Sequence, residues 1–361
     1  MKIVFINSCE YMGGAELWHL RTALAFRERD HDVSMMLRPG PLAERSREQG
    51  LPVVILPMAF DLDLFSSFKA LSYFRREKPD LVLLNDQREC RVIAPAAALA
   101  GIGARVQRKG WPYLKGSWRD RMVYRRFVTH LIANSDAIAQ IFRRRSGLAP
   151  DKIRVFPNGI DIERFKEGEG ASFRERIGVS ESDTLIGAAG RLVTQKGFDT
   201  LVKALGSLLE DGAELKACIA GDGPERERLE ALAQEAGVSD RLIFPGHVDD
   251  MPSFLAGLDL FVFPSRMEGR SNALAEAMAA GLPVIATDIP GNDELIAHEK
   301  SGILVPPEDP DAYAQAIKRL LEDRELAERL GRAAREYVET NMDVDKILDE
   351  LEFYLESLTG Q

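Results

Sequence analysis

Short apolar runs alternate with helical segments along this chain, and the alternation restarts once near the middle. The first series contains "KIVFIN", "VSMMLR", "PVVILP", "LVLLN", "RVQRK" and "LIANS"; the second contains "TLIGAAGRL", "LKACIAGDG", "RLIFPG", "LDLFVFP", "PVIATD" and "GILVP". Apolar strands separated by helices are typical of parallel sheets that helices cover on both faces. We therefore predict an α/β protein with two Rossmann-like parallel-sheet domains.

The segment 157–165, which carries a proline and an Asn-Gly pair, separates the two series. A chain of 361 residues is long enough for two domains of ordinary size. We predict an N-terminal domain over residues 1–160 and a C-terminal domain over residues 161–343.

Composition limits the class of protein. No run approaches twenty apolar residues, and "MKIVFIN" is too short for a signal peptide, so we expect a soluble, cytoplasmic chain. The three cysteines are widely spaced and form no C-x-x-C pair, which argues against a disulfide frame and a zinc site.

Charge is unevenly distributed. The formal net charge is −10, which argues against a general nucleic-acid binder, yet residues 101–160 hold 13 Lys/Arg against 3 Asp/Glu. This basic stretch, with Trp111, Tyr113, Trp118 and Tyr124 interleaved, suits an anionic acceptor or anionic lipid headgroups. Its cations are equally consistent with solvated helix faces, and its aromatic residues with packing.

The stretch "EGRSNALAE" sets Glu268 and Glu276 eight positions apart between the apolar runs "LFVF" and "PVIAT". We predict a strand, a loop, a helix that begins near Ser271 or Asn272 and ends at Gly281, and a second strand. Because ligands collect at the carboxyl ends of parallel strands, both glutamates can face one crevice.

Small residues between the glutamates would expose helix N–H groups, which suit a phosphate, and carboxylates accept hydrogen bonds from sugar hydroxyls. This βαβ unit therefore suits a nucleotide sugar. The alternative is that Glu276 is a solvated surface residue and that the small residues serve tight packing.

Two further loops carry glycines at strand ends. Gly13 and Gly14 follow the first strand and open the first helix, where backbone amides could approach a ligand closely, and Gly221 lies in the turn "AGDGPER". Tight structural turns explain both segments equally well.

The loop "GRLVTQKG" places Arg191 and Lys196 after the first strand of the second series. Two cations at a strand end suit a diphosphate, since arginine grips two oxygens and lysine acts as a point charge. The alternative is a surface loop whose charges pair with Asp199 or Glu268.

Taken in order, "GGAE", "FPNGID", "GRLVTQKG", "GDGP", "FPSRMEGRSNALAEAMAAGLPVIATD", "PGNDELI" and "GILVPPED" resemble the retaining glycosyltransferases of family 4, with GT-B architecture and a Glu-x7-Glu motif. The resemblance covers nearly the whole chain and is most specific in the second half. It implies an acceptor-side N-terminal domain and a donor-binding C-terminal domain facing each other across a cleft. It also implies a last helix, 344–361, that rejoins the first domain.

The resemblance implies roles for individual residues in donor binding. Arg191 and Lys196 match the pair that holds the donor diphosphate, Glu276 the residue that binds the ribose hydroxyls, and Glu268 the residue that contacts the donor hexose. We take Glu268, Arg191 and Lys196 as the catalytic candidates.

Other matches are to backbone groups and to the acceptor side. The remaining donor-binding candidates are Gly13, Gly14, Asn272, Ala273, Leu274 and Gly221. The acceptor candidates, from the basic stretch, are Arg108, Lys109 and Trp111.

The implied reaction moves a sugar from a UDP-, GDP- or ADP-linked donor to an acceptor hydroxyl, with no cofactor and no metal. The segment "DLDLF" contains Asp61 and Asp63, but a turn into a helix explains it better than a metal motif. The acceptor would be a glycan or glycolipid, as in cell-envelope polysaccharide or lipopolysaccharide biosynthesis, with peripheral contact at the inner membrane face.

The chain departs from the family pattern at two places. Many relatives carry a histidine after a first-domain strand where this chain has Asn85 and Asp86, and the turn "PGNDE" brings Asn292 and Asp293. The five histidines are expected to be structural or exposed. The functional alternatives are a non-catalytic nucleotide-sugar-binding protein and a GT-B-like nucleotide-sugar epimerase.

Overall fold

The computed structural model describes residues 1–360, and the chain folds into two compact units. Unit 1 comprises residues 1–158 together with 345–360, and unit 2 comprises Gly159–Val344. Among the described residues, no helix is long and apolar enough to cross a membrane.

Unit 1 contains a seven-stranded parallel sheet in the order β3-β2-β1-β4-β5-β6-β7. Its strands are β1 (Lys2–Asn7), β2 (Asp32–Leu37), β3 (Val53–Ile55), β4 (Leu81–Leu84), β5 (Ala104–Lys109), β6 (His130–Ala133) and β7 (Ile153–Val155). Its helices are α1 (Gly14–Glu28), α2 (Pro41–Glu48), α3 (Leu64–Glu77), α4 (Gln87–Val92), α5 (Ala94–Leu99), α6 (Trp118–Phe127) and α7 (Asp136–Arg145).

Unit 2 contains a six-stranded parallel sheet in the order β10-β9-β8-β11-β12-β13. Its strands are β8 (Leu185–Ala189), β9 (Lys216–Ala220), β10 (Leu242–Gly246), β11 (Leu260–Phe263), β12 (Val284–Thr287) and β13 (Ile303–Val305). Its helices are α8 (Gly170–Arg176), α9 (Phe198–Glu210), α10 (Arg226–Glu235), α11 (Met251–Ala256), α12 (Asn272–Ala279), α13 (Pro310–Glu322) and α14 (Arg324–Asn341).

Each sheet has hydrophobic core on both faces, which explains why its strands are continuous apolar runs. The predicted fold class, two Rossmann-like parallel sheets, is confirmed. In both units the strand order reverses beside the first strand, between β1 and β4 and between β8 and β11. In such sheets the crevice for a ligand opens at the carboxyl ends of these two strands.

The last helix, α15 (Val344–Ser357), packs its apolar face on unit 1. Leu351 and Leu355 are fully buried in the same core cluster as Phe156. On the helix flank, Arg29 and the His31 ring both bond the Glu352 carboxylate, at 2.8 and 2.6 Å. The end of the chain is therefore a structural part of unit 1.

Candidate functional site

The carboxyl ends of β8 and β11 bring Lys196 and Glu268 together. Lys196 lies in the loop after β8, Glu268 in the loop after β11, and Lys196 Nζ is 2.5 Å from Glu268 Oε1. Ser265 Oγ donates to the same oxygen at 2.6 Å. The Glu268 residue is only 8% exposed, so this carboxylate is held in a fixed direction by two donors.

Hydrogen bonds from Arg266 hold the loop that carries Lys196 against the end of β11. Its guanidinium bonds the Asp199 carboxylate at 2.9 and 3.0 Å and the Thr194 carbonyl at 2.5 Å, and its backbone N–H donates to the Gln195 carbonyl. The hydrogen bonds to Asp199 raise the pKa of Arg266 above its ordinary value, so the pair is ionised. Asp199 therefore pairs with Arg266, and Lys196 pairs with Glu268.

Two glycines allow the strand-end loops of unit 2 to approach each other closely. Gly197 has φ 64°, and a Cβ there would lie 2.0 Å from the Pro264 carbonyl oxygen. Gly221 has φ 138°, and a Cβ there would lie 2.0 Å from the Gly190 carbonyl oxygen. Backbone contact within unit 2 is thus sufficient to explain both glycines.

Helix α12 begins where the sequence predicted. Ser271 is its N-cap, with Oγ accepting from the Leu274 N–H at 3.4 Å, and Gly281 at φ 76° follows its end. Asn272 and Ala273 are half-buried at the first turn, Leu274 is fully buried, and Glu276 is half-buried one turn further on. The positive end of the helix therefore lies at the carboxyl end of β11, beside Glu268.

Arg191 is exposed in the loop after β8, five residues before Lys196. That loop is held on the neighbouring one, since the Leu192 N–H donates to the Asp222 carbonyl at 2.9 Å. The structure therefore places Arg191, Lys196, Gly221, Glu268 and Glu276 on strand-end loops and a helix N-terminus of unit 2. Their roles in donor binding remain predictions.

The other predicted site residues belong to unit 1. Gly13 is the N-cap of α1 and Gly14 its exposed first residue, at the carboxyl end of β1. A Cβ at Gly13 would lie 3.0 Å from Glu16 Oε2, and the Asn85 side-chain amide donates to Glu16 Oε1 at 3.3 Å. The glycine turn therefore adjoins Asn85 through Glu16.

Asn85 and Asp86 enclose a buried carboxylate that the sequence analysis did not single out. Glu89 accepts from the backbone N–H groups of Ser8, Asn85 and Asp86, and from the Ser8 hydroxyl. Burial raises the pKa of Glu89 to about 8, and these N–H donors oppose that shift. The Asp-x-x-Glu spacing of a capping box was the available signal in the sequence.

Two of the three acceptor candidates are buried, contrary to an open basic surface. Arg108 is 2% exposed, donates to Asn158 Oδ1 at 2.6 Å and stacks on Trp18, and its burial lowers its pKa to about 10. Lys109 is 6% exposed and bonds Asp86 Oδ1 at 2.8 Å. Both therefore have structural partners within unit 1.

The aromatic residues of the basic stretch divide into two groups. Trp111, Tyr113 and Trp118 are exposed, whereas Tyr124 is 1% exposed and donates to Gln107 Oε1 at 2.7 Å. Tyr124 is therefore a packing residue, the alternative that the sequence left open.

The turn interpretation of "DLDLF" is confirmed. Asp63 is the N-cap of α3 and accepts from the Ser66 N–H at 2.9 Å, while Asp61 pairs with Arg91. These carboxylates are already occupied by helix capping and an ion pair.

Two family models match consecutive parts of the chain. "Glycosyltransferase Family 4" matches residues 12–164, and "Glycosyl transferases group 1" matches residues 171–337.

Among curated proteins, the chain is 34% identical to the GDP-mannose-dependent alpha-(1-6)-phosphatidylinositol monomannoside mannosyltransferase of Mycobacterium tuberculosis, over 73% of this chain and 72% of that protein. It is 28% identical to the lipopolysaccharide core biosynthesis glycosyltransferase LpsE of Rhizobium meliloti, over 93% of this chain and 94% of that protein. Among solved structures, Anabaena HepE in complex with UDP superposes with a TM-score of 0.88 at 24% identity, over 99% of this chain and 100% of that one.

Proposed function

This chain belongs to glycosyltransferase family 4, the retaining, nucleotide-sugar-dependent glycosyltransferases with the GT-B fold, and we propose that unit 2 binds its donor at the Lys196–Glu268 pair. The observation that carries the proposal is the single Glu268 oxygen that accepts from both Lys196 and Ser265. A carboxylate fixed in this way is ready to receive hydroxyl groups of a sugar.

Lys196 exchanges partners in this proposal. A donor diphosphate competes with Glu268 for the Lys196 ammonium, because both are anions within reach of one flexible side chain. As the ammonium moves to the diphosphate, Glu268 keeps the Ser265 hydrogen bond and gains the donor hexose. Binding of the diphosphate thereby prepares the carboxylate for the sugar.

Positively charged groups of unit 2 also stabilise the transition state of the transfer. The leaving diphosphate gains negative charge in the transition state, and Arg191, Lys196 and the first-turn amides of α12 stabilise that charge. These groups do the work that a divalent cation does in other phosphate sites, so the reaction proceeds without a metal. Glu276 accepts from the ribose hydroxyls, and the nucleotide is UDP, GDP or ADP.

The acceptor we propose is a glycolipid or a lipopolysaccharide-type glycan of the cell envelope, met at the inner membrane face. Two relatives support this class, since one is described as acting on a phosphatidylinositol mannoside and the other in lipopolysaccharide core synthesis. The basic stretch of residues 101–160 supports an anionic surface as the place of the reaction.

The proposal is tested by the melting temperature of the purified chain with UDP, GDP or ADP, each with and without magnesium. A ligand that binds only the folded state raises the melting temperature. We expect one nucleotide to raise it, equally with and without magnesium, and Arg191→Ala to abolish the shift. Arg324→Ala, a change at an exposed arginine of the same unit, serves as the matched control and keeps the shift.

Two results count against the proposal. A shift that requires magnesium would show that a metal carries the diphosphate charge. A shift that persists in Arg191→Ala would place the nucleotide elsewhere.

A further inference from the structure

Exposed hydrophobic side chains of the described chain are concentrated in two segments of unit 1. The segments are residues 60–68 and 111–122. They contain nine of the thirteen large ones: Phe60, Leu62, Leu64, Phe65, Phe68, Trp111, Tyr113, Trp118 and Met122. Scattered exposed hydrophobic residues are normal in soluble proteins, but contiguous apolar patches mark binding surfaces.

The first segment includes the start of α3, which is apolar on two sides. Ser66, Ala70 and Phe74 face the interior of unit 1. Phe65 and Phe68 belong to the outer side and are 62% and 69% exposed. An ordinary surface helix carries polar residues on that side. The outer side of α3 therefore leaves two phenylalanine rings in water, which is costly unless a partner covers them.

The second segment ends in α6, and this helix combines exposed hydrophobic and cationic side chains. Trp118 and Met122, one helical turn apart, line a groove together with Arg121, Arg125 and Arg126. All five side chains are exposed, and Asp120, the one acid of this helix, is 2% exposed. The groove therefore presents an aromatic ring and a thioether surrounded by positive charge.

One arginine links the two segments. Arg91 bonds Asp61 Oδ2 at 2.5 Å and Asp120 Oδ1 at 2.8 Å, so the loop before α3 and the first turn of α6 meet at its guanidinium. Asp120 is buried against Arg91 while the arginines of α6 are exposed, so the exposed charge of α6 is cationic. Residues 60–68 and 118–126 can thus act as one surface, which we call the apolar-basic surface.

We propose that the apolar-basic surface docks on an anionic phospholipid bilayer. Aromatic and aliphatic side chains insert at the headgroup level, and lysine and arginine beside them attract anionic lipids. A symmetric contact with a second copy is disfavoured, because it would bring like-charged arginines together. The inference rests on the proposed function only in that a lipid-linked acceptor explains why such an enzyme would meet a membrane.

The test is co-sedimentation of the full chain with vesicles of phosphatidylcholine alone or mixed with phosphatidylglycerol. We expect binding to the mixed vesicles only, weakening at high salt because surface charge is screened. Phe65→Gln with Phe68→Gln should raise the lipid concentration for half-binding at least tenfold. Arg121→Gln with Arg125→Gln should raise it about fivefold for each arginine removed.

The matched control is Phe353→Gln, which changes a phenylalanine 76% exposed on α15 of the same unit and should bind like the unchanged chain. Equal binding to both vesicle types, or unchanged binding by the two double variants, would overturn the proposal. So would sedimentation velocity showing dimers that Phe65→Gln dissociates. All variants should keep the nucleotide-dependent rise in melting temperature, so loss of lipid binding alone leaves the donor site intact.

Discussion

At the residue scale, Glu268 shows what the sequence could and could not reveal. The Glu268–Glu276 spacing and the helix between them were predictable, because caps and apolar periods are local signals. The role of Arg266 was not, since its partner Asp199 lies in a different loop that only tertiary folding brings near, and the Ser265 hydrogen bond to Glu268, three residues away, depends on the shape of its loop. Local patterns therefore located the site, whereas the contacts that orient it required the structure.

His19 provides a test of burial at one residue. Its ring is fully buried against Phe5 and Trp18, and burial lowers its pKa to about 3 from 6.5. Below about pH 6.5 the unfolded chain takes up a proton at His19 that the folded chain does not, so the contribution of His19 to folding stability falls as the pH falls. Glu89, with its raised pKa, acts with the opposite sign over the same range, so the effect of His19 is the difference between the unchanged chain and a His19 variant. The expected loss is up to about 1.4 kcal/mol per pH unit, measured by urea unfolding between about pH 7.5 and 5.5.

His19→Phe should remove this part of the acid sensitivity. His247→Phe, at a histidine whose side chain is 73% exposed, should leave it unchanged. An equal pH dependence in the unchanged chain and in His19→Phe would show that His19 does not carry the effect.

At the scale of elements, all the strands except β7 (Ile153–Val155) were predicted from their apolar runs, while β7, with only three residues, and the packing of the strand-end loops were not. Gly197→Ala tests that packing, because its Cβ would meet the Pro264 carbonyl and displace the loop that carries Lys196. We expect lower stability and a dissociation constant for the nucleoside diphosphate raised about tenfold, as loss of one charged contact implies. Calorimetric titration measures the constant.

Gly237→Ala is the matched control. Gly237 has nearly the same φ, 67°, but nothing lies within 4 Å of the added Cβ. The Gly237→Ala variant should lose only about 1 kcal/mol of folding stability from backbone strain and keep its affinity for the nucleoside diphosphate. Similar affinities for the two variants would mean that loop packing does not position Lys196.

At the scale of the molecule, one restart of the strand-helix pattern predicted two sheets, since parallel strands buried on both faces leave a strong signal. Surface properties were harder to predict. The basic stretch is visible in the sequence, yet it contains both the buried Arg108 and Lys109 and the exposed arginines of α6. Exposure depends on which side of a helix or strand faces the core. The exposure of Phe65 and Phe68 on the outer side of α3 therefore became evident only in the structure.

The central claim is that unit 2 binds the donor with separate groups for sugar and nucleotide, and calorimetric titration with a nucleoside diphosphate and with its hexose conjugate tests it most directly. Glu268→Gln removes the anion that competes for Lys196, so it should bind the diphosphate at least as tightly as the unchanged chain and lose about 1.5–3 kcal/mol only in the contribution of the hexose to binding of the conjugate. Glu276→Ala should weaken both ligands alike. If Glu268→Gln weakened both ligands equally, or neither, the hexose role of Glu268 would be contradicted.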